Sequence, residues 1–133
     1  EDKTFEFLGR IIEILDAENA VFMKIDKDKE IVKSYSRTRL IHEWVDKPYV
    51  NYEIIERVIN NKEGEFLIDW ESVKETDIVV NSPNWQSAIA IPLIFNGKIK
   101  GVVYITVPLK EKEFDYNNYN LARVMCGAFS TMV

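Results

Sequence analysis

Residues 87–106 read SAIAIPLIFNGKIKGVVYIT, two apolar runs joined by Asn96-Gly97. Asn-Gly between apolar runs is the strongest short signal for a β-hairpin, because a type I′ turn needs positive φ at both central positions. A two-residue loop sets Phe95 opposite Lys98. Counting back then pairs Leu93 with Lys100, Pro92 with Gly101 and Ile89 with Tyr104. Pro92 falls at a non-hydrogen-bonded pair of this hairpin. Its missing N–H is therefore felt on the far side of its strand, where the neighbouring strand must end or bulge. One face of the hairpin is expected to carry Ala88, Ala90, Pro92, Ile94, Ile99, Gly101, Val103 and Ile105, small enough for the terminal helices to approach the backbone. The other carries Ile89, Ile91, Leu93, Val102 and Tyr104, with Ser87 and Thr106 at the open end. Both faces are apolar, so both need cover.

Working outward, Phe5, Leu8, Ile11, Ile12 and Leu15 recur at helical spacing and predict a helix over residues 4–17 with Thr4 as its N-cap. Residues 20–25 and 30–36 read as two strands around the polar turn Asp26-Lys27-Asp28-Lys29. Asn51 caps a second helix whose Ile54, Ile55, Val58 and Ile59 form one face, Gly64 ends the turn after it, and residues 65–68 are a short strand. Residues 69–86 form a long connection with Trp70 and Trp85 near its ends. Connections of that length in a compact domain are usually functional or mobile. Asp115 caps a last helix with Leu121, Val124, Met125, Ala128, Phe129 and Met132 on one stripe. The pattern is α+β: an antiparallel sheet, the terminal helices together on one face, and the middle helix and long connection on the other. A sheet roofed by a loop is where a small-molecule cavity is expected.

Composition removes several functions. The chain has 133 residues, 47% of them hydrophobic, enough for one domain with its own core. A net charge of −5, spread along the chain, disfavours nucleic acid and anionic lipid, and no apolar run is long enough to span a membrane. One cysteine, Cys126, and one histidine, His42, rule out an internal disulfide, a CxxC site and a histidine metal cluster. The chain begins at Glu1 without a signal-peptide pattern and ends in an apolar, uncapped run, so residues 1–133 read as a single domain cut from a longer, cytoplasmic protein.

The order of these motifs resembles the GAF domains. Ser87-Ala-Ile-Ala-Ile-Pro-Leu, Asn96-Gly97-Lys98 and Gly101-Val-Val-Tyr-Ile are similar to that family's central strands. Ile54-Ile-Glu-Arg-Val-Ile with Phe66-Leu-Ile-Asp69 resembles its middle helix and following strand end, and Phe114-Asp115 the start of its last helix. The resemblance implies an α-β-α sandwich with an antiparallel sheet of five to six strands, related to PAS domains. A sixth strand would lie within residues 37–50 or 77–81. It also implies a regulatory module of a cytoplasmic sensor kinase, cyclase, phosphodiesterase or transcription regulator, often dimeric through its terminal helices.

Within that family the residues narrow the choice. Val107-Pro108-Leu109-Lys110 stands where cyclic-nucleotide binders carry Asn-Lys, and Asn118-Tyr119 replaces their Asp-Glu, so cyclic-nucleotide binding is not supported. A bilin needs a reactive cysteine, and Cys126 lies among apolar residues as a structural thiol; haem needs an axial histidine, and His42 sits in a polar loop. Asp69 and Glu71 share a strand-end face but read as a capping and a solvated carboxylate, so no enzyme is expected. Trp70 and Trp85 offer apolar planes with one N–H each, suited either to a ligand or to plugging the sheet. Asp69, Ser87, Ile89, Tyr104, Phe22 and Thr106 are the other candidate ligand contacts. For the dimer, Leu121, Met125, Ala128 and Met132 have the spacing of a coiled-coil seam, with Leu8 and Leu15 assigned from the first helix. Two readings follow: a small-molecule sensor, or a ligand-free dimerisation and relay module.

Overall fold

The Asn96-Gly97 turn takes the conformation its chemistry demands, with φ of 53° at Asn96 and 77° at Gly97. It joins β4 (Gln86–Phe95) to β5 (Lys98–Pro108), and Phe95 pairs with Lys98 as expected. The structure, a computed structural model, describes residues 2–39, 50–69 and 85–133. His42, Trp70 and the candidate sixth strand at residues 77–81 lie outside them, as does most of its alternative at 37–50.

The register then departs from the simple count. Ile94 pairs with Ile99, but Leu93 pairs with Gly101, so Lys100 is an extra residue on β5. Such a β-bulge leaves two residues opposite one. Side chains alternate with a period of two, so a one-residue slip exchanges every face beyond it. Ile89 therefore opposes Ile105, not Tyr104, and Ala90 opposes Tyr104. This corrects the expected faces. Ala88 and Ala90 pack with Val102 and Tyr104 in one core cluster, while Ile89, Ile91 and Leu93 pack with Val103 and Ile105 in the other. Ile99, on the turn side of the bulge, changes face with them and packs against the Tyr104 cluster.

Pro92 acts as its chemistry requires. Pairing with Val102 satisfies the hairpin side. On the other side β3 (Glu65–Asp69) runs along β4 only as far as the Glu65–Ala90 pair, ending before Pro92. A further pair would need the N–H that proline lacks.

The remaining strands are β1 (Asn19–Ile25) and β2 (Ile31–Thr38), and the five-stranded antiparallel sheet has the order β2-β1-β5-β4-β3. The β1–β2 turn is closed by the Asp26 carboxylate, which accepts from the N–H groups of Asp28 (2.9 Å) and Glu30 (3.0 Å). Such Asx bonds are why aspartate opens turns.

Helix α1 (Asp2–Leu15) starts before Thr4, which is a buried residue of the first turn, not the cap. Helix α2 (Tyr52–Asn61) has Asn51 as N-cap, its side chain accepting from the Glu53 N–H. It ends on Lys62 at φ 56°, whose N–H donates to the Val58 carbonyl at 2.9 Å, so Lys62 makes the left-handed stop and Gly64 follows it in the turn before β3. Helix α3 (Tyr116–Ser130) opens with the expected Asp115 cap, reinforced by Asn118 in a reciprocal capping box.

Helices α1 and α3 lie on one face of the sheet, burying Leu8, Ile11, Leu15, Phe22, Ile105, Cys126 and Phe129. The Phe129 ring stacks on Phe7 at 4.1 Å and meets Phe22 edge-on at 5.5 Å. On the opposite face, among the described residues, α2 covers Val21, Met23, Ala88, Ala90, Val102 and Tyr104 with Ile54, Ile55, Val58 and Ile59, joined by Val50. Leu8 and Leu15 are fully buried here, so they belong to the core and not to a dimer surface. The i, i+3, i+4, i+7 stripe they share with Ile11 and Ile12 is spent on the sheet.

Candidate functional site

The α2 face narrows to a polar point where two long connections meet the sheet. Residues 40–49 lead into Val50 and the Asn51 cap, and residues 70–84 leave from Asp69, the last residue of β3. Asp69 is buried, 1% exposed, beside Tyr104 of β5, which is 0% exposed. The Tyr104 hydroxyl donates to Asp69 Oδ2 at 2.7 Å, and Asn51 Nδ2 donates to Asp69 Oδ1 at 2.9 Å. Asn51 thus works twice. Its Oδ1 accepts from the Glu53 N–H at 3.1 Å while its amide nitrogen holds the carboxylate. That places the Asp69 charge beside the N-terminus of α2, where the helix dipole favours an anion. A buried polar group costs free energy unless bonded, and here both carboxylate oxygens are bonded.

Of the residues expected to touch a ligand, Asp69 and Tyr104 come together. Thr106, paired with Ala88 and Asn19, lies buried on the same face. Trp85 stands half-buried at the return of the second connection, its carbonyl accepting from the Leu109 N–H at 2.8 Å. Trp70 lies outside the described residues.

Three expected contacts belong to the opposite face. Ile89 was placed beside Tyr104 by the uncorrected register, and the Lys100 bulge moves it against the terminal helices. Phe22 pairs with Val103 and packs with Phe129 and Tyr35 on that side. Ser87, also buried there, accepts from the Phe114 N–H at 2.8 Å, tying β4 to the start of α3. The sequence marks Asn51 as a cap only; its contact with Asp69 is added by the structure. The signal was available in principle, since an asparagine capping through Oδ1 still has two donors to place.

Other groups set limits on chemistry. Cys126 is 1% exposed, and burial pushes its thiol well above the usual range, which disfavours the nucleophilic thiolate. Among the described residues no group of three metal-ligating side chains converges, and no helix is long and apolar enough to cross a membrane. A groove of about 470 Å³ runs between α1 and α3, with Phe7, Met125, Ala128 and Met132 in its wall and Lys3, Glu6 and Arg10 at its rim.

No family model and no curated protein matches this chain. Solved structures do. A GAF domain/HD domain protein from Geobacter sulfurreducens superposes with a TM-score of 0.63 over 96% of this chain and 87% of that one, at 11% identity. The GAF domain of a phosphoenolpyruvate-protein phosphotransferase from Coxiella burnetii gives 0.63 over 93% and 76%, at 16% identity. The fold is that of a GAF domain. A methyl-accepting chemotaxis protein is similar at TM-score 0.64 over 94% of this chain and 82% of that one, at 10% identity. At such identities the GAF likeness fixes the architecture, and the chemistry has to be argued from this chain's own residues.

Proposed function

We propose that this GAF-fold chain is a regulatory, small-molecule-sensing domain of a cytoplasmic signalling protein such as a sensor kinase, cyclase, phosphodiesterase or transcription regulator, without catalytic activity of its own. The observation that carries the reading is the buried Asp69–Tyr104–Asn51 cluster on the α2 face, set among apolar side chains where both long connections join the sheet. A few fixed polar groups in apolar surroundings are the usual composition of a small-molecule site. Asp69, Tyr104 and Thr106 supply polar anchors, and Trp70 and Trp85, at the ends of the second connection, supply apolar planes. Occupancy acts by favouring one of two arrangements of the domain, in proportion to the ligand's preference between them.

The test is native mass spectrometry of gently purified protein, followed by a binding screen. The expected result is a reproducible added mass that Trp85→Ala and Tyr104→Phe each remove while the protein stays folded. Bare protein in every preparation and no hit in the screen overturn the reading, as does full ligand retention in both variants.

One observation favours a second reading, a ligand-free homodimerisation and relay module. The groove between α1 and α3 exposes Ala128 and Met132, with Leu121 and Val124 exposed nearby on α3. Concentration-dependent association that Met132→Glu abolishes, with no added mass on the wild type, is its signature.

A further inference from the structure

We propose that residues 109–115, the strap between β5 and α3, couple the ends of both long connections to both terminal helices. The strap has no ladder or helix of its own beyond a turn at its start, so its position is fixed by what it bonds. Each bond reaches a different element. The Leu109 N–H donates to the Trp85 carbonyl at 2.8 Å, at the return of residues 70–84. Glu111 accepts from Arg39 at 3.0 Å, at the departure of residues 40–49. Lys112 Nζ donates to the Leu15 carbonyl at 2.9 Å, closing the C-terminal end of α1. The Phe114 N–H donates to Ser87 Oγ at 2.8 Å, and Asp115 then caps α3.

Arg39 extends the reach. Its backbone N–H donates to the Glu18 carbonyl at 2.7 Å, and its guanidinium lies 3.5 Å from the Glu18 carboxylate and 4.0 Å from that of Asp16. The corner between α1 and β1, the end of β2 and the strap therefore share one cation. Single exposed ion pairs contribute little. An ammonium on the last carbonyls of a helix and a buried amide–hydroxyl bond are the firmer attachments, and the strap has one of each. A shift in the end of either connection therefore pulls on the strap, which meets the first turn of α3 and the last turn of α1 together. Its use as a signal path rests on the sensor reading above; the mechanical coupling does not.

Amide hydrogen exchange on the ligand-free chain tests it. Arg39→Met is read at the Phe114 and Asn118 amides, which Arg39 does not touch, and Ser87→Ala is read in return at the Arg39 amide, since coupling is reciprocal. Exchange faster by roughly fivefold or more at these remote amides is expected, with the hairpin amides of Phe95 and Lys98 unchanged. Changes confined to residues in contact with the substituted side chain overturn the proposal. If Arg39→Met does not fold, Glu111→Gln keeps the shape, removes the charge and is read at Phe114 by the same criterion. No ligand enters the experiment, so its failure leaves the sensor reading intact, and a failed ligand screen leaves the coupling intact.

Discussion

On the α1–α3 side of the sheet, Leu8, Ile11, Leu15, Phe22, Ile105 and Phe129 close an apolar core in which Phe7 stacks on Phe129, Phe129 meets Phe22 edge-on and Phe22 stacks on Tyr35. On the α2 side, among the described residues, one ten-residue helix covers the sheet and the cluster ends in a buried carboxylate held by a tyrosine and an asparagine. The first face draws its stability from area and dispersion, which tolerate no gaps and need no direction. The second adds directional bonds whose loss leaves a charge stranded. The two faces are therefore held differently, one by close packing and the other by packing together with fixed polar bonds.

Phe129→Ala is the severest way to break that contrast. Removing a fully packed ring at the centre of the aromatic chain is expected to cost about 3–5 kcal/mol, read as a lowered urea midpoint. A cost below that of the α2-face change described next would mean the terminal-helix side is not the densely packed one. Tyr104→Phe sharpens the other half. It removes only a hydroxyl, yet leaves the buried Asp69 carboxylate one donor short, so a loss of about 1–3 kcal/mol is expected by the same denaturation. A change near zero would show that water or another donor replaces the bond.

The smallest effect is pH-dependent. Burial raises the Cys126 thiol above its ordinary value of 9.0, so the folded chain keeps a proton that the unfolded chain gives up. The folded state then binds more protons at alkaline pH, and stability is lost as pH rises above that value. The slope reaches about 1.4 kcal/mol per pH unit for one group. Comparing urea midpoints at about pH 8 and about pH 10, Cys126→Ala is expected to lose less stability than the wild type. Equal losses would place the thiol within reach of solvent.

Much of this was legible in the chain. Two of the three expected caps, Asn51 and Asp115 but not Thr4, the Asn96-Gly97 turn and the end of β3 ahead of Pro92 follow from local chemistry that tertiary contacts did not override. The Lys100 bulge escaped because both faces of the hairpin are apolar, so the break in alternation leaves no mark in the hydrophobic pattern. Its sole trace was Gly101, a glycine inside a strand, which often marks a bulge. That single residue then misassigned Ile89 in the site. The mistake over Leu8 and Leu15 has a different origin. An amphipathic stripe says that a helix face is covered, not by what, and in α1 the cover is the sheet. On α3 the core side is built from Ala122, Cys126 and Phe129, while Val124 is 71% exposed, so the small Ala122 packs inward and the larger Val124 faces out. Hydrophobicity alone ranks Val124 above Ala122.

The proline that stops β3 has one more consequence. Among the described residues, the outer margin of β4 beyond Ala90 has no neighbouring strand, and such margins recruit strands from other copies of the same chain. With no N–H at Pro92, a foreign strand docking there loses the first bond it would need. The same residue that shortens the sheet thus guards its margin against growing by strand addition from another copy of the chain.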